Sequence, residues 1–138
     1  MFLLDARLAQ SIVDRTMQIL DTNVNVMDER GLIIASGERA RIGVRHDGAL
    51  LVLAQGRAVE IDAARASRLQ DARPGSNLPL RAEGRVVGVV GVSGAPEAIR
   101  QHAELVRMAA ETMLEQARLV QVLARAERLR EELVLQLI

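Results

Sequence analysis

The sequence predicts an α+β fold, an antiparallel sheet of about five strands with flanking helices and a long C-terminal helix. Three observations predict it. Two turn signals, Asp28-Glu29-Arg30-Gly31 and Glu83-Gly84, each sit between apolar runs of strand character, and tight turns of this kind join antiparallel neighbours. No glycine or proline follows Pro96, so the last stretch reads as one uninterrupted helix. The 138 residues, 49% hydrophobic, suffice for one core and are too few for two ordinary ones.

Asp5 stands as an N-cap before an apolar stripe at Leu8, Ile12, Val13, Thr16/Met17 and Leu20, which predicts a helix over about residues 5–20. NVNVMDERGLIIAS alternates around a turn of the type I plus left-handed glycine kind, predicting strands near 23–28 and 31–36. Gly48 to Ala54 predicts a short buried helix ended by Gly56. RAVEID at 57–62 predicts a strand, and 63–72 is weakly helical up to Pro74-Gly75. LPLRA and RVVGVVGVS predict strands near 77–83 and 85–93. Gly88 and Gly91 interrupt the second of these, so a bulge or a close approach by another backbone or a ligand is expected there.

Pro96 suits a first helical position with Glu97 behind it, and a helix over 96–138 would run about 60 Å. Its second half carries Leu119, Val122, Ala126, Leu129 and Leu133 at alternating spacings of three and four, a coiled-coil seam flanked by mixed charge. Ending at Ile138 in mid-helix without a cap predicts a chain cut from a longer polypeptide. Residues 1–95 are expected to form the core and 96–138 a signalling or dimerisation helix, within a single domain. With helices on one side of the sheet, this order resembles the sensory modules of the PAS and GAF type. Such a shape leaves a pocket between the sheet and the short central helices.

Composition removes several functions. The 18 basic and 18 acidic residues cancel, so no overall field draws the chain onto DNA or an anionic membrane. Cysteine is absent, which excludes disulfides and thiolate metal sites and suits a reducing cytoplasm. MFLLDARLAQ has no basic leader region, and no apolar run reaches the length needed to span a bilayer, so a cytoplasmic location is expected. All basic side chains are arginine, which excludes Schiff-base lysine chemistry and a P-loop lysine. Phe2 is the only aromatic, so no base-stacking platform exists.

Two segments stand out as candidate sites. Arg39, Arg41, Arg45 and His46 precede the helix that opens at Gly48-Ala49. They are either a solvated patch or an anion site, in which an arginine fork grips a carboxylate beside the exposed N–H groups of the helix start. Pro74-Gly75-Ser76-Asn77-Leu78-Pro79 either shapes a turn or presents Asn77 to a hydroxylated ligand from a backbone held by Pro79. Asn25, inside the first strand, is either solvated or on the pocket wall. No catalytic set emerges: His46 and His102 are the only histidines, no serine has a nucleophile-elbow context, and His46 with Asp47 lacks a third metal ligand. No cofactor is expected. His102, on the long helix, is expected at the surface.

TNVNVMDERGLIIASGERARIGVRHDGA at 22–49, GSNLPLRAEGRVVGVVGVSGAPE at 75–97 and LVRMAAETMLEQARL at 105–119 together resemble the N-terminal sugar-diacid recognition domain of the carbohydrate diacid regulator family, bacterial transcriptional activators. The resemblance covers essentially the whole chain, and its specific motifs are R-I-G-x-x-H-x-G-A and G-x-N-L-P. It implies a non-enzymatic sensor of D-glucarate, galactarate or D-glycerate, with a C-terminal helix-turn-helix region, absent here, that binds DNA. Onto this sequence the motifs carry Arg41, His46, Gly48 and Ala49, and Asn77, Leu78 and Pro79, as ligand-binding candidates. Ser76 and Ser93 depart from the family pattern, which bears on the preference among diacids.

A diacid needs two anion-holding groups separated by hydrogen-bonding side chains. Arg41 with His46 and the helix N-terminus suit one carboxylate. Backbone N–H groups around Asn77 and Leu78, or near Gly88 and Gly91, are the expected holders of the other, with Asn77 on hydroxyls. The expected partners are therefore a small sugar acid, a second copy of the chain through the long helix, and DNA through the missing region alone. The rival from another class is a dimerisation scaffold without a ligand; an enzyme acting on a hydroxy acid ranks below both.

Overall fold

In a computed structural model that describes residues 4–69 and 72–137, the first helix, α1 (Ala6–Thr16), is capped by Asp5, whose carboxylate accepts from the Leu8 N–H at 2.8 Å. It stops earlier than the apolar stripe predicts. The Thr16 hydroxyl turns back onto the Ile12 and Val13 carbonyls, and the Thr16 carbonyl takes the Ile19 and Leu20 N–H groups in a tightened last turn.

Five strands follow: β1 (Val24–Met27), β2 (Ile33–Ser36), β3 (Val59–Ile61), β4 (Gly75–Ala82) and β5 (Arg85–Ser93). They form one antiparallel sheet in the order β2-β1-β5-β4-β3. Both hairpin turns are where the sequence places them. Gly31 adopts φ +81° and its N–H reaches the Asp28 carbonyl at 3.0 Å, while Asp28 Oδ1 accepts from Arg30 and Leu32. Glu83 and Gly84 both take positive φ (53° and 77°), the two-residue turn whose twist matches that of the strands. β4 begins at Gly75, two residues before the predicted start, because Gly75 and Ser76 pair with β3 on one side and β5 on the other.

Between the hairpins, Arg39–Arg41 form one 3-10 turn and α2 (Asp47–Gln55) runs to Gly56, left-handed at φ 69°. Only Ala63–Ala66, α3, is helical within the weakly helical stretch of 63–72, of which residues 70 and 71 lie outside the described residues, as do 1–3 and 138. The long helix, α4 (Pro96–Leu137), is continuous. Among the described residues no helix is long and apolar enough to cross a membrane.

The helices do not lie on one side, contrary to expectation. Val24, Val26, Leu78, Leu80, Val90 and Val92 face α1 and the first half of α4, where Ile12, Val13, Ile99, Ala103, Val106 and Leu114 complete one apolar layer. Met27, Val89, Val59 and Ile61 face α2 through Ala49 and Val52 on the opposite side. Alternate residues of a strand project to opposite faces, so a sheet covered twice must be apolar at nearly every position. The runs VNVM and GSNLPL are buried on both faces, with Asn25, Ser76 and Asn77 as the polar exceptions among them. Beyond residue 118, every described residue of α4 is exposed, including the predicted seam at Leu119, Val122, Leu129 and Leu133.

Candidate functional site

On the α2 face, register sets side by side the few polar residues that the strands bury. Ser36 pairs with Asn25, Asn25 with Gly91 and Gly91 with Asn77, which makes a row across four strands. Asn25 and Asn77 are each 3% exposed. The Asn25 carboxamide oxygen accepts from Ser36 Oγ at 2.6 Å and from Asn23 Nδ2 at 2.9 Å, which leaves its amide nitrogen for other partners. Asn23 Oδ1 is fully buried without a partner among the described residues, whereas Asn77, 3% exposed, makes no side-chain hydrogen bond among them and its carboxamide keeps a trace of solvent contact. A carboxamide in that position is a poor packing element and a good ligand contact.

Two glycines hold this carboxamide in place. A Cβ at Gly91 would lie 2.7 Å from Asn77 Oδ1, and one at Gly48 would lie 2.9 Å from Asn77 Nδ2 and 2.8 Å from the His46 ring. The close approach expected at Gly91 is thus made by Asn77, and that at Gly88 by the Met27 carbonyl.

The loop into α2 supplies the cationic wall. His46 is the N-cap of α2: its Nδ1 accepts from the Ala49 N–H at 3.1 Å, so Nδ1 carries no proton and Nε2 is the ring's donor. The imidazole, 4% exposed, lines a crevice together with Arg41, Asn25, Asn77, Gly91 and Ser93, closed at the rim by Arg73, Pro74 and Gly75. It encloses about 230 Å³ including its mouth, with room inside for about one water-sized group. Arg73 Nη1 in turn donates to Glu38 Oε1 at 2.7 Å, outside the crevice lining. The Arg73 hydrogen bond holds the Glu38 carboxyl below its ordinary range, with burial opposing and the Arg73 and Arg41 charges adding to the effect.

Of the residues singled out in the sequence, Arg41, His46 and Asn77 meet in this crevice, and Gly48 packs against its floor. Three lie elsewhere. The Ala49 N–H is taken by His46, and the residue is fully buried. Leu78 points to the opposite face, into the α1/α4 layer. Pro79 lies in β4 beyond the segment that pairs with β3, where one side of the strand is open and a missing N–H is tolerated.

The main-chain N–H groups of Asn77, Leu78, Gly88 and Gly91, expected to hold a second carboxylate, lie inside the β-ladders and are committed to them. Arg39 and Arg45 are exposed and outside the crevice. Arg73 was not singled out; one arginine among 18 basic residues carries no local signal, and only the fold brings it here. Asn25 was legible as a polar residue within an apolar strand.

A wider apolar groove, lined by Ile19, Leu20, Leu105, Val106 and His102, lies between the end of α1 and α4, and no arginine lines it. Among the described residues no group of three or more His, Cys, Asp or Glu is arranged to hold a metal ion.

Comparison with known proteins bears on the same architecture. A family model described as sugar diacid recognition matches residues 4–137. The chain is 62% identical over 135 residues to the carbohydrate diacid regulator of Escherichia coli (strain K12), covering 98% of this chain and 35% of that protein. It is 47% identical over 136 residues to an uncharacterized protein of Haemophilus influenzae, covering 98% of this chain and 37% of that one. The chain therefore spans about a third of the length of these curated relatives.

Among solved structures, the GAF domain of an Acinetobacter phosphoenolpyruvate-protein phosphotransferase superposes with a TM-score of 0.56 at 16% identity, covering 83% of this chain and 92% of that one. A type II free methionine-R-sulfoxide reductase from Thermoplasma acidophilum gives 0.56 at 15%, covering 80% and 92%. At such identity the likeness shows the fold alone, which is GAF-like, as the order of elements predicts. The family match over nearly every residue, with the identity to the Escherichia coli regulator, establishes that this chain belongs to the sugar diacid recognition family.

Proposed function

We propose that this chain is the ligand-sensing module of a bacterial transcriptional regulator and that the crevice at the start of α2 binds a small sugar acid, D-glucarate, galactarate or D-glycerate. The observation that carries this reading is the meeting of Arg41, His46, Asn25 and Asn77 in one crevice, where the Asn77 carboxamide makes no hydrogen bond among the described residues. Arg41 and the His46 Nε2 donor hold a carboxylate beside the first turn of α2, where the helix macrodipole favours negative charge. Gly48 allows the close approach. Asn77 and the Asn25 amide take the hydroxyls, a task that needs groups able to donate and accept.

β5 carries crevice residues Gly91 and Ser93 and passes through Gly94 into α4, so a ligand that orders the crevice acts at the root of the long helix. The exposed half of α4 pairs with a second copy along Leu119, Val122, Ala126, Leu129 and Leu133 and relays the change to a DNA-binding region outside this chain. Such a relay requires the ligand to bind two states with different affinity. Residues 1–95 form the sensing core and 96–138 the signalling helix of one domain. The activity is binding, not catalysis, in a cytoplasmic regulator.

Calorimetric titration with the three acids, with melting followed in parallel, tests the reading. At about 100 times Kd a ligand specific for the folded state adds about 2.7 kcal/mol of stability. Arg41→Ala weakens binding by about 1.5–3 kcal/mol through loss of a charge-assisted contact. No heat and no melting shift with any of the acids would leave self-association through α4 as the function.

A further inference from the structure

The proposed site holds one carboxylate, and a sugar diacid has two. With the strand N–H groups committed to their ladders, the other cation that lines the crevice is Arg73, at the rim just before Pro74. Its partner is Glu38, 35 positions earlier, at the start of the 3-10 turn that carries Arg41. Glu38 is tied to the polar row as well: its N–H donates to Ser36 Oγ at 3.0 Å, and the same hydroxyl donates to Asn25 at 2.6 Å. A carboxylate just outside the crevice lining is thus bonded to one arginine of the site and within the field of another, Arg41. That is the environment a ligand carboxylate would seek.

We propose that Arg73 is the second carboxylate-holding residue of the site and that Glu38 is an internal stand-in, displaced from Arg73 by the far carboxylate of a dicarboxylic acid. The proposal rests on the sugar-acid reading and deepens it. The pair is suited to exchange: Arg73 is 51% and Glu38 42% exposed, and ion pairs so open to water hold little net free energy. Swapping one carboxylate for another conserves the guanidinium's hydrogen bonds and unlocks the mouth of a crevice with room for about one water-sized group. A monoacid anchored at Arg41 has no group to offer Arg73, so the exchange discriminates diacids from monoacids.

The test titrates D-glucarate and D-glycerate into the 138-residue chain and into Arg73→Gln, Glu38→Gln and Arg39→Gln variants. Arg39→Gln removes the same charge from an exposed position outside the crevice and reports the general electrostatic effect. The expected result is a loss of about tenfold or more in glucarate affinity for Arg73→Gln with glycerate changed less than about twofold, and a gain of about threefold or more in glucarate affinity for Glu38→Gln, where the competing anion is gone. Equal weakening of both acids by Arg73→Gln, or unchanged or weaker glucarate binding by Glu38→Gln, overturns the proposal and leaves the sugar-acid reading standing. If the unaltered chain binds neither acid, that reading fails and this proposal with it.

Discussion

Along β4 the chain alternates between two surfaces of opposite chemistry. Leu78 and Leu80 enter a dry layer shared with α1 and α4, whereas Asn77, one residue away, faces the α2 side between two glycines. The first face closes mainly with apolar groups, the buried Ser76 and Thr16 hydroxyls being its polar exceptions. The other is apolar toward Met27, Val89 and Ile61 and then gives way to the Ser36–Asn25–Gly91–Asn77 row. Stability and recognition are therefore carried by neighbouring residues of one strand, and substitutions at adjacent positions separate them.

The largest expected effect is on the dry face. Leu78→Ala removes a side chain that is 2% exposed and should cost about 2–5 kcal/mol of unfolding free energy, read from denaturant melts. Sugar-acid affinity of the folded fraction should be unchanged. Asn77→Ala should do the reverse: stability moves by about 1 kcal/mol or less, since the carboxamide has no hydrogen bond among the described residues to lose, while affinity falls about 2–10-fold. If Leu78→Ala alone abolished binding with stability intact, the division between the faces would be wrong.

The smallest effect is electrostatic. The Glu60 carboxyl is held below its ordinary 4.5 by the hydrogen bond from Arg100 and by that residue's charge, with burial opposing. A carboxyl whose folded value is lowered contributes stability above its unfolded value and loses it as pH falls through the folded one. Melting temperature should therefore sag slightly as pH falls below the ordinary carboxylate value of 4.5, and Glu60→Gln should lessen the sag.

Much of this was legible in the sequence because it is local. Asp28 to Gly31 fixes one hairpin, Glu83-Gly84 the other, Asp5 a cap, and the run after Pro96 a helix, each through chemistry within a few residues. The basic loop and the Asn77 segment likewise pointed to the crevice. Period two in a strand already forbids Asn77 and Leu78 from sharing a face, so the placement of Leu78 follows from β4 once its span is known. The rest depended on tertiary placement. That α2 covers the face opposite α1, that His46 consumes the Ala49 N–H, and that Arg73 reaches Glu38 across 35 positions are consequences of the packing of elements, which no local spacing encodes.

The central claim is that a sugar acid binds in the crevice and contacts the two buried carboxamides. Nuclear magnetic resonance of the side-chain amides follows this directly, since Asn23, Asn25 and Asn77 are the only asparagines in the chain. On titration with D-glucarate, the Asn77 and Asn25 amide resonances should shift together and saturate with the calorimetric Kd. Saturating shifts at Leu105 and Ile19 in the apolar groove, with both carboxamides unmoved, would contradict the account.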